Sequence, residues 1–196
     1  MDEEFEVRPA EDEEVAPLDP ELEARRVAAM SFIRKLGDPV LKSSAVPVER
    51  FDDSLRTQVS RMGGIMDDAV GIGLAAPQLG VAQRLLVYRV GPDAPLIALV
   101  NPELEWASDD AEGAEEGCLS IPGVAVDVER PVHVRVHAQD EHGERRLVEA
   151  SGLEARVIQH EMDHLDGVLV LERTTRDERK RALRELREAE RSREAA

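Results

Sequence analysis

Apolar residues recur along the chain with two different periods, which divide it into predicted helices and strands. Between residues 51 and 66 they return every three or four positions, the pattern of a helix with one buried face. From 132 to 137 valines alternate with polar residues, as in a strand with one buried face. Leu- and Val-rich runs at 83–90 and 96–100 predict two further strands, and the polar stretch 105–115 is predicted to be a loop.

Two more helices are predicted toward the C-terminus. One follows Ser151, a suitable N-cap, and ends at Gly167. The other occupies residues 174–196, where Thr175 and Glu178 have the spacing of a capping box. Strands with period two around a central helix predict an α+β fold, mostly antiparallel, with an additional C-terminal helix.

The ends of the chain differ from its middle in composition. Residues 1–23 hold eleven acidic side chains, one arginine and three prolines, a composition that predicts a disordered tail. The interpretation is therefore an acidic tail over 1–28, a catalytic domain over 29–173 and a charged helix over 174–196.

Charge and cysteine content exclude several classes of protein. A net charge of −17 argues against a general nucleic-acid-binding surface. One cysteine excludes a disulfide within the chain and fits a reducing compartment. Neither a membrane-spanning apolar run nor a secretory signal is visible, so we expect a cytoplasmic protein without a membrane partner.

Candidate chemistry begins with Gln-His-Glu-Met-Asp-His-Leu at residues 159–165. In a helix, His160 and His164 leave the same face one turn apart and can share a divalent metal ion. Glu161 can then reach a water bound to that ion. The alternative is a solvated helix in which the spacing arose by chance.

Two upstream stretches favour the metal site. Cys118, in Glu-Gly-Cys-Leu-Ser at 116–120, would complete a three-ligand site with an open fourth position. Its alternative is a small buried hydrophobe, which the glycine and acidic residues around it disfavour. Gly-Ile-Gly-Leu-Ala-Ala-Pro-Gln at 71–78 supplies Gln78, whose amide N–H can meet a developing oxyanion; the alternative is a Gly/Ala-rich turn.

Taken together, these three stretches resemble the peptide deformylases, in the order that the family has them. The resemblance extends more weakly from about residue 32 to about residue 172. It implies hydrolysis of the formyl group on the N-terminal methionine of nascent peptides, with release of formate. It also implies ferrous iron as the usual metal, although Zn²⁺ or Ni²⁺ fits the same ligands.

The resemblance further implies roles for individual residues. Glu161 would move the proton of the metal-bound water, and the N–H of Leu119 would hold the oxyanion with Gln78. The peptide would add a strand between Gly73 and Gly117. The methionine side chain would enter an apolar pocket near Ile72, Leu153 and Val157.

Two other functions remain open at this point. A zinc peptidase with a different third ligand would leave Cys118 without a role, and a non-catalytic ribosome-associated factor would not need Glu161 or Gln78. Residues 173–196 carry nine basic and six acidic side chains on an otherwise acidic protein. Because some deformylases contact the ribosome through the C-terminal helix, we expect either such a contact or a solvated helix laced with ion pairs. A monomer is expected.

Overall fold

The computed structural model describes residues 19–91 and 93–194 of the chain. Its α-helices are α1 (Pro20–Met30), α2 (Asp53–Asp68), α3 (Gly152–Leu165) and α4 (Arg176–Glu194). Its strands are β1 (Gly73–Ala75), β2 (Leu85–Tyr88), β3 (Ile97–Ala107), β4 (Ala111–Cys118), β5 (Ile121–Pro131), β6 (His133–Gln139) and β7 (Arg145–Ser151).

All strand pairs in the two sheets are antiparallel. Five strands form one sheet in the order β1-β2-β3-β6-β7, and β4 and β5 form a separate hairpin. The predicted α+β fold with mostly antiparallel strands is confirmed.

Strand β2 is buried on both faces, between helices α2 and α3. Leu85 and Val87 belong to the cluster that includes the apolar face of α2, whereas Leu86 and Tyr88 belong to the cluster that includes α3. This explains the continuous Leu-Leu-Val-Tyr run, since a strand with apolar layers on both sides has no polar face. Helix α3 therefore lies centrally, as predicted.

The ends of α3 are fixed by backbone geometry. Ser151 occupies the N-cap position but makes no capping side-chain hydrogen bond; its hydroxyl contacts His133 instead. Gly167 follows the helix with φ +72°, and a Cβ there would lie 2.8 Å from the backbone of Lys42. Glycine is therefore required where the chain leaves α3.

A third apolar cluster joins the β4–β5 hairpin to helix α4. Ala182 of α4 is fully buried against it, and Leu183 and Leu186 pack at its edge. The Glu178 backbone N–H bonds the Thr175 hydroxyl at 3.3 Å, as the capping spacing predicted. None of the helices in the described ranges combines the length and apolarity that a membrane span requires.

Two sequence predictions differ from the structure. Most of 105–115, predicted to be a loop, belongs to β3 and β4, and only residues 108–110 connect them. The predicted disordered tail is wrong for residues 20–28, which form most of α1; residues 1–18 lie outside the described part of the chain. Helix α1 begins after Asp19, whose carboxylate accepts a hydrogen bond from the Glu21 backbone N–H at 2.8 Å.

Candidate active site

Cys118, His160 and His164 meet where the end of β4 lies against helix α3. One ligand atom from each lies within 4.8 Å of the other two. The Cys118 sulfur is 3.3 Å from His164 Nε2. The two histidines stand one helical turn apart, and their ring centroids are separated by 5.1 Å. The three residues that the sequence proposed as ligands thus converge.

Glu116 fixes the orientation of the His160 ring. Its carboxylate accepts a hydrogen bond from His160 Nδ1 at 2.9 Å, which makes Nδ1 the protonated nitrogen and leaves Nε2 to act as a ligand. Arg130 donates to the same carboxylate at 2.6 and 2.9 Å, and Arg156 donates at 2.8 Å. Burial would raise the pKa of Glu116, but the bonds from His160 and Arg130 outweigh it and lower the pKa to about 2.

The same network continues to the other end of α3. Arg130, which is buried, also donates to Asp163 at 3.0 Å, and Arg173 donates to Asp163 at 3.0 Å. Buried charges are stable only when they are paired and hydrogen-bonded, as these are. The network therefore holds the β4–β5 hairpin against α3 at the level of the ligands.

Electrostatics favour a thiolate at Cys118. Burial alone would raise the pKa of the thiol, but the charges and hydrogen bonds of His164 and His160 hold it well below its usual range. Burial would lower the pKa of His160, yet its bonds with Cys118 and Glu116 raise it well above the usual value. These shifts favour a thiolate at Cys118 beside the two imidazoles.

Glu161 lies beside the three ligands in a buried position. Burial raises the pKa of its carboxyl group, and the charges of the two histidines offset part of that rise. One carboxylate oxygen, Oε2, is buried without a hydrogen-bond partner among the described residues. A Cβ at Gly73 would come within 2.4 Å of the other oxygen, so only glycine lets β1 approach this side chain.

Gln78 presents its amide nitrogen to the site from the short 3₁₀ helix Ala76–Leu79. Its Oε1 accepts the Ala75 backbone N–H at 2.8 Å, which orients Nε2 toward Cys118 at 3.8 Å and the Ser120 hydroxyl at 3.3 Å. Leu119 follows Cys118 directly and lines the same cavity. Gln78 and Leu119 therefore both lie at the cavity beside Cys118.

The site opens into a cavity of about 360 Å³. Its lining includes the residues proposed for substrate binding, which are Ile72, Gly73, Gly117, Leu153 and Val157. The pairing of β4 with β5 shifts after Gly117, so residues 122–124 leave the ladder and form one wall. Val157 is buried at this cavity, whereas Ile72 and Leu153 are about half exposed at its opening.

Several residues of the site are not predicted by the sequence motifs. Glu116, Arg130 and Asp163 support the ligands, and Arg26 and Met30 of α1 line the cavity. Glu116 had a local signal, since an acidic residue two positions from a proposed thiolate ligand shares its strand face. The others had none, because Arg130 lies 14 residues from Glu116 and 33 residues from Asp163 in the chain, and Arg26 and Met30 lie on another helix.

The donor set fits a divalent metal ion. Ligand bonds of about 2.3 Å to sulfur and 2.0 Å to nitrogen in a tetrahedral site place the two ligand atoms roughly 3.5 Å apart, close to the 3.3 Å between Cys118 and His164. A thiolate and two imidazoles, one oriented by a carboxylate, form a three-ligand site with room for a further ligand. Glu161, whose Oε2 has no hydrogen-bond partner among the described residues, lines the same cavity but is not one of the three grouped ligand residues.

Comparisons with known proteins agree on one family. A family model described as polypeptide deformylase matches residues 30–180. The peptide deformylase of Parafrankia sp. is 46% identical over 162 residues, which cover 83% of this chain and 88% of that protein. That of Thermotoga maritima is 46% identical over 144 residues, which cover 74% and 87%.

Solved structures agree in fold. The crystal structure of a peptide deformylase from Synechococcus elongatus in complex with actinonin superposes with a TM-score of 0.76 at 47% identity, covering 78% of this chain and 85% of that one. The structure from Legionella pneumophila gives 0.78 at 39% identity, covering 84% and 97%.

Proposed function

Because this chain belongs to the peptide deformylase family and removes the formyl group from the N-terminus of newly made polypeptides, we propose that Cys118, His160 and His164 hold its metal ion. The observation that carries this assignment is the convergence of their three ligand atoms within 4.8 Å, beside a buried glutamate. The family is metal-dependent, and these residues form the candidate metal site of the described chain.

We assign Fe²⁺ to the site, with Zn²⁺ and Ni²⁺ as ions that the same ligands accept. Iron is the usual metal of the family that the motifs resemble. The ion supplies, when bound, a Lewis acid and a water molecule with a pKa close to neutrality.

Glu161 is assigned the proton transfers. Its carboxylate accepts a proton as the water oxygen bonds to the formyl carbon, and returns it to the nitrogen as the C–N bond breaks. The products are formate and a free amine. Burial raises the pKa of Glu161, and a raised pKa helps a carboxyl group to return the proton to the departing nitrogen.

Gln78 and Leu119 are assigned the role of hydrogen-bond donors to the formyl oxygen. Negative charge develops there as the carbonyl carbon becomes tetrahedral, and fixed donors stabilise it more than mobile water does. The Gln78 amide nitrogen is already oriented, because its oxygen accepts a bond from the backbone of Ala75.

The substrate is assigned to the cavity between β1 and β4. We propose that the peptide runs as an added strand between Gly73 and Gly117, where no side chain blocks its backbone. The methionine side chain then enters the apolar region formed by Ile72, Leu153 and Val157. We propose that the enzyme acts in the cytoplasm, where its newly made substrates arise, and that it acts as a monomer.

Contact with the ribosome is proposed for the exposed side of α4. Its exposed basic residues include Arg176, Arg179, Lys180, Arg184, Arg187 and Arg191. The span 173–196 carries a net charge of +3 on a chain of −17. That asymmetry orients α4 toward the phosphates of RNA.

Formate release from a formyl-methionyl peptide, measured with anaerobically purified enzyme, tests the function and the base together. We expect Glu161→Ala to keep its metal but to lose about 10²- to 10⁴-fold in turnover, the usual contribution of positioned proton transfer. Glu154→Gln is the matched control, because Glu154 lies on the same helix but bonds Tyr88 outside the cavity. Near wild-type turnover by metal-loaded Glu161→Ala would show that the base is another group. A new internal peptide fragment in place of formate would indicate a peptidase.

A further inference from the structure

All of helix α1 except its last residue precedes the part of the chain that the family model matches, yet the helix lines the active-site cavity. The match begins at residue 30, whereas α1 spans Pro20–Met30. Arg26 and Met30 nevertheless line the same cavity as Cys118 and Glu161. Arg26 therefore reaches this cavity from a segment that precedes the matched region.

Helix α1 is held in a defined position. Arg25 Nε donates to Asp68, near the end of α2, at 3.0 Å. Ala29 is buried in the cluster that includes the apolar face of α2, and Met30 packs against it. The hydrogen bond of Arg25 and the burial of Ala29 both hold α1 against α2. These two contacts place Arg26, which lies between them in the helix, at the cavity.

The guanidinium of Arg26 has N–H groups that donate no hydrogen bond within the described chain. The cavity is lined by two arginines, and Arg156 is committed to Glu116 and to the carbonyls of Val128 and Glu112. The Arg26 side chain is 42% exposed and donates no hydrogen bond within the described chain; its one ion pair there, with Glu23, is 3.6 Å long. A guanidinium carries five N–H donors, so Arg26 can bind a further acceptor in the cavity.

A peptide substrate offers suitable acceptors in a fixed register. Each residue after the formylated methionine contributes a backbone carbonyl, whatever its side chain. The wall formed by residues 122–124 carries no charged side chain. An enzyme acting on many newly made polypeptides needs contacts that do not depend on side chains, and a carbonyl-binding arginine is one.

We propose that Arg26 binds backbone carbonyl oxygens of the residues that follow the formylated methionine. The proposal rests on the proposed function, because it places the peptide in this cavity with its formyl group at Cys118, His160 and His164. It makes Arg26 a substrate-binding residue that raises the efficiency of hydrolysis for peptides over single amino acids.

Two substrates distinguish an effect on peptide binding from an effect on hydrolysis of the formyl group. They are formyl-Met-Ala-Ser-Ala amide and formyl-methionine amide. Only the first has carbonyls beyond the methionine residue, and the amide cap removes the terminal carboxylate, which would otherwise compete for Arg26. We expect Arg26→Ala to lower the ratio of the two kcat/KM values by about 5- to 20-fold, mainly through KM, as for loss of a charge-assisted hydrogen bond at a partly exposed site. Arg26→Lys is expected to keep part of the preference, since lysine retains the charge but not the fork of donors.

Arg50→Ala is the matched control, because it removes the same charge from an exposed arginine that does not line this cavity. Calorimetric binding of the product Met-Ala-Ser-Ala amide gives a second readout, with weaker binding expected for Arg26→Ala only. An unchanged kcat/KM ratio in Arg26→Ala, or an equal fall in Arg50→Ala, would overturn the proposal. Failure of the wild-type enzyme to release formate from either substrate would overturn the proposed function instead.

Discussion

Glu116→Gln removes one negative charge from the buried network while keeping the shape of the side chain. The wild-type carboxylate is only 5% exposed and accepts bonds from Arg130, Arg156 and His160. Glutamine can accept with its oxygen but presents an NH₂ group in place of the second oxygen. Each carboxylate oxygen accepts two of these bonds, so two donors of the network must then lose this partner.

The expected effects are on metal affinity and on stability. Replacing a carboxylate that orients a ligating histidine usually weakens metal binding by about 10- to 100-fold. Removing one partner of a buried ion pair costs about 3–5 kcal/mol. Arg130 keeps Asp163 at 3.0 Å, so we expect the lower part of that range, roughly 3 kcal/mol. In a chain of this size that lowers the melting temperature by about 6–12 °C.

Metal affinity is measured by competition with a chromophoric chelator, using Zn²⁺, which avoids oxidation of iron. Thermal unfolding of the metal-free protein measures stability separately. Glu115→Gln is the control, since Glu115 is the adjacent residue and its side chain is exposed. If Glu116→Gln bound Zn²⁺ as tightly as Glu115→Gln does, the orientation of His160 by Glu116 would not contribute to the site.

Two further predictions test other parts of the molecule. Iron-loaded enzyme should lose activity in air as Cys118 is oxidised, and nickel or zinc loading should slow the loss; unmodified Cys118 in the mass spectrum of air-inactivated enzyme would exclude this cause. Replacing Arg184, Arg187 and Arg191 by glutamine should weaken ribosome binding in a salt-dependent way without changing peptide turnover, and equal binding across a salt titration would argue against a ribosome contact by α4. Substitution is preferable to deleting α4, because Ala182 is buried in the cluster that joins this helix to the hairpin.

The local features of the fold were the predictable ones. The α2 periodicity predicted a helix whose residues Met62 and Met66 are fully buried, and the alternation from residue 132 predicted β6. His160 and His164 share a face because four residues are about one helical turn, a spacing readable without any tertiary contact. Convergence of Cys118 with them required the motif resemblance, since its contact with His164 spans 46 residues.

The wrong predictions have physical causes. Strand β4 has the sequence Ala-Glu-Gly-Ala-Glu-Glu-Gly-Cys, and most of its side chains are exposed, so no apolar alternation marks it. Its stability comes from pairing with β5 along nearly its whole length. Helix α1 was not predicted, because the acidic composition of residues 1–23 as a whole favours disorder and outweighed the local helix signal. Asp19 followed by Pro20 is a helix start, with a capping carboxylate and proline at the first position.

The hairpin and α3 show why ligand motifs alone underdetermine such a site. Cys118 comes from β4, whereas His160 and His164 come from α3, so the ligand distances depend on how these two elements are held together. Arg130 of β5 bridges Glu116 next to the thiolate ligand and Asp163 next to the second histidine, at 2.6 and 3.0 Å. Because one buried guanidinium contacts a neighbour of a ligand on each element, a shift of the hairpin relative to α3 would break its charge pairs. The network therefore fixes the distances between the proposed metal ligands through contacts within the folded core.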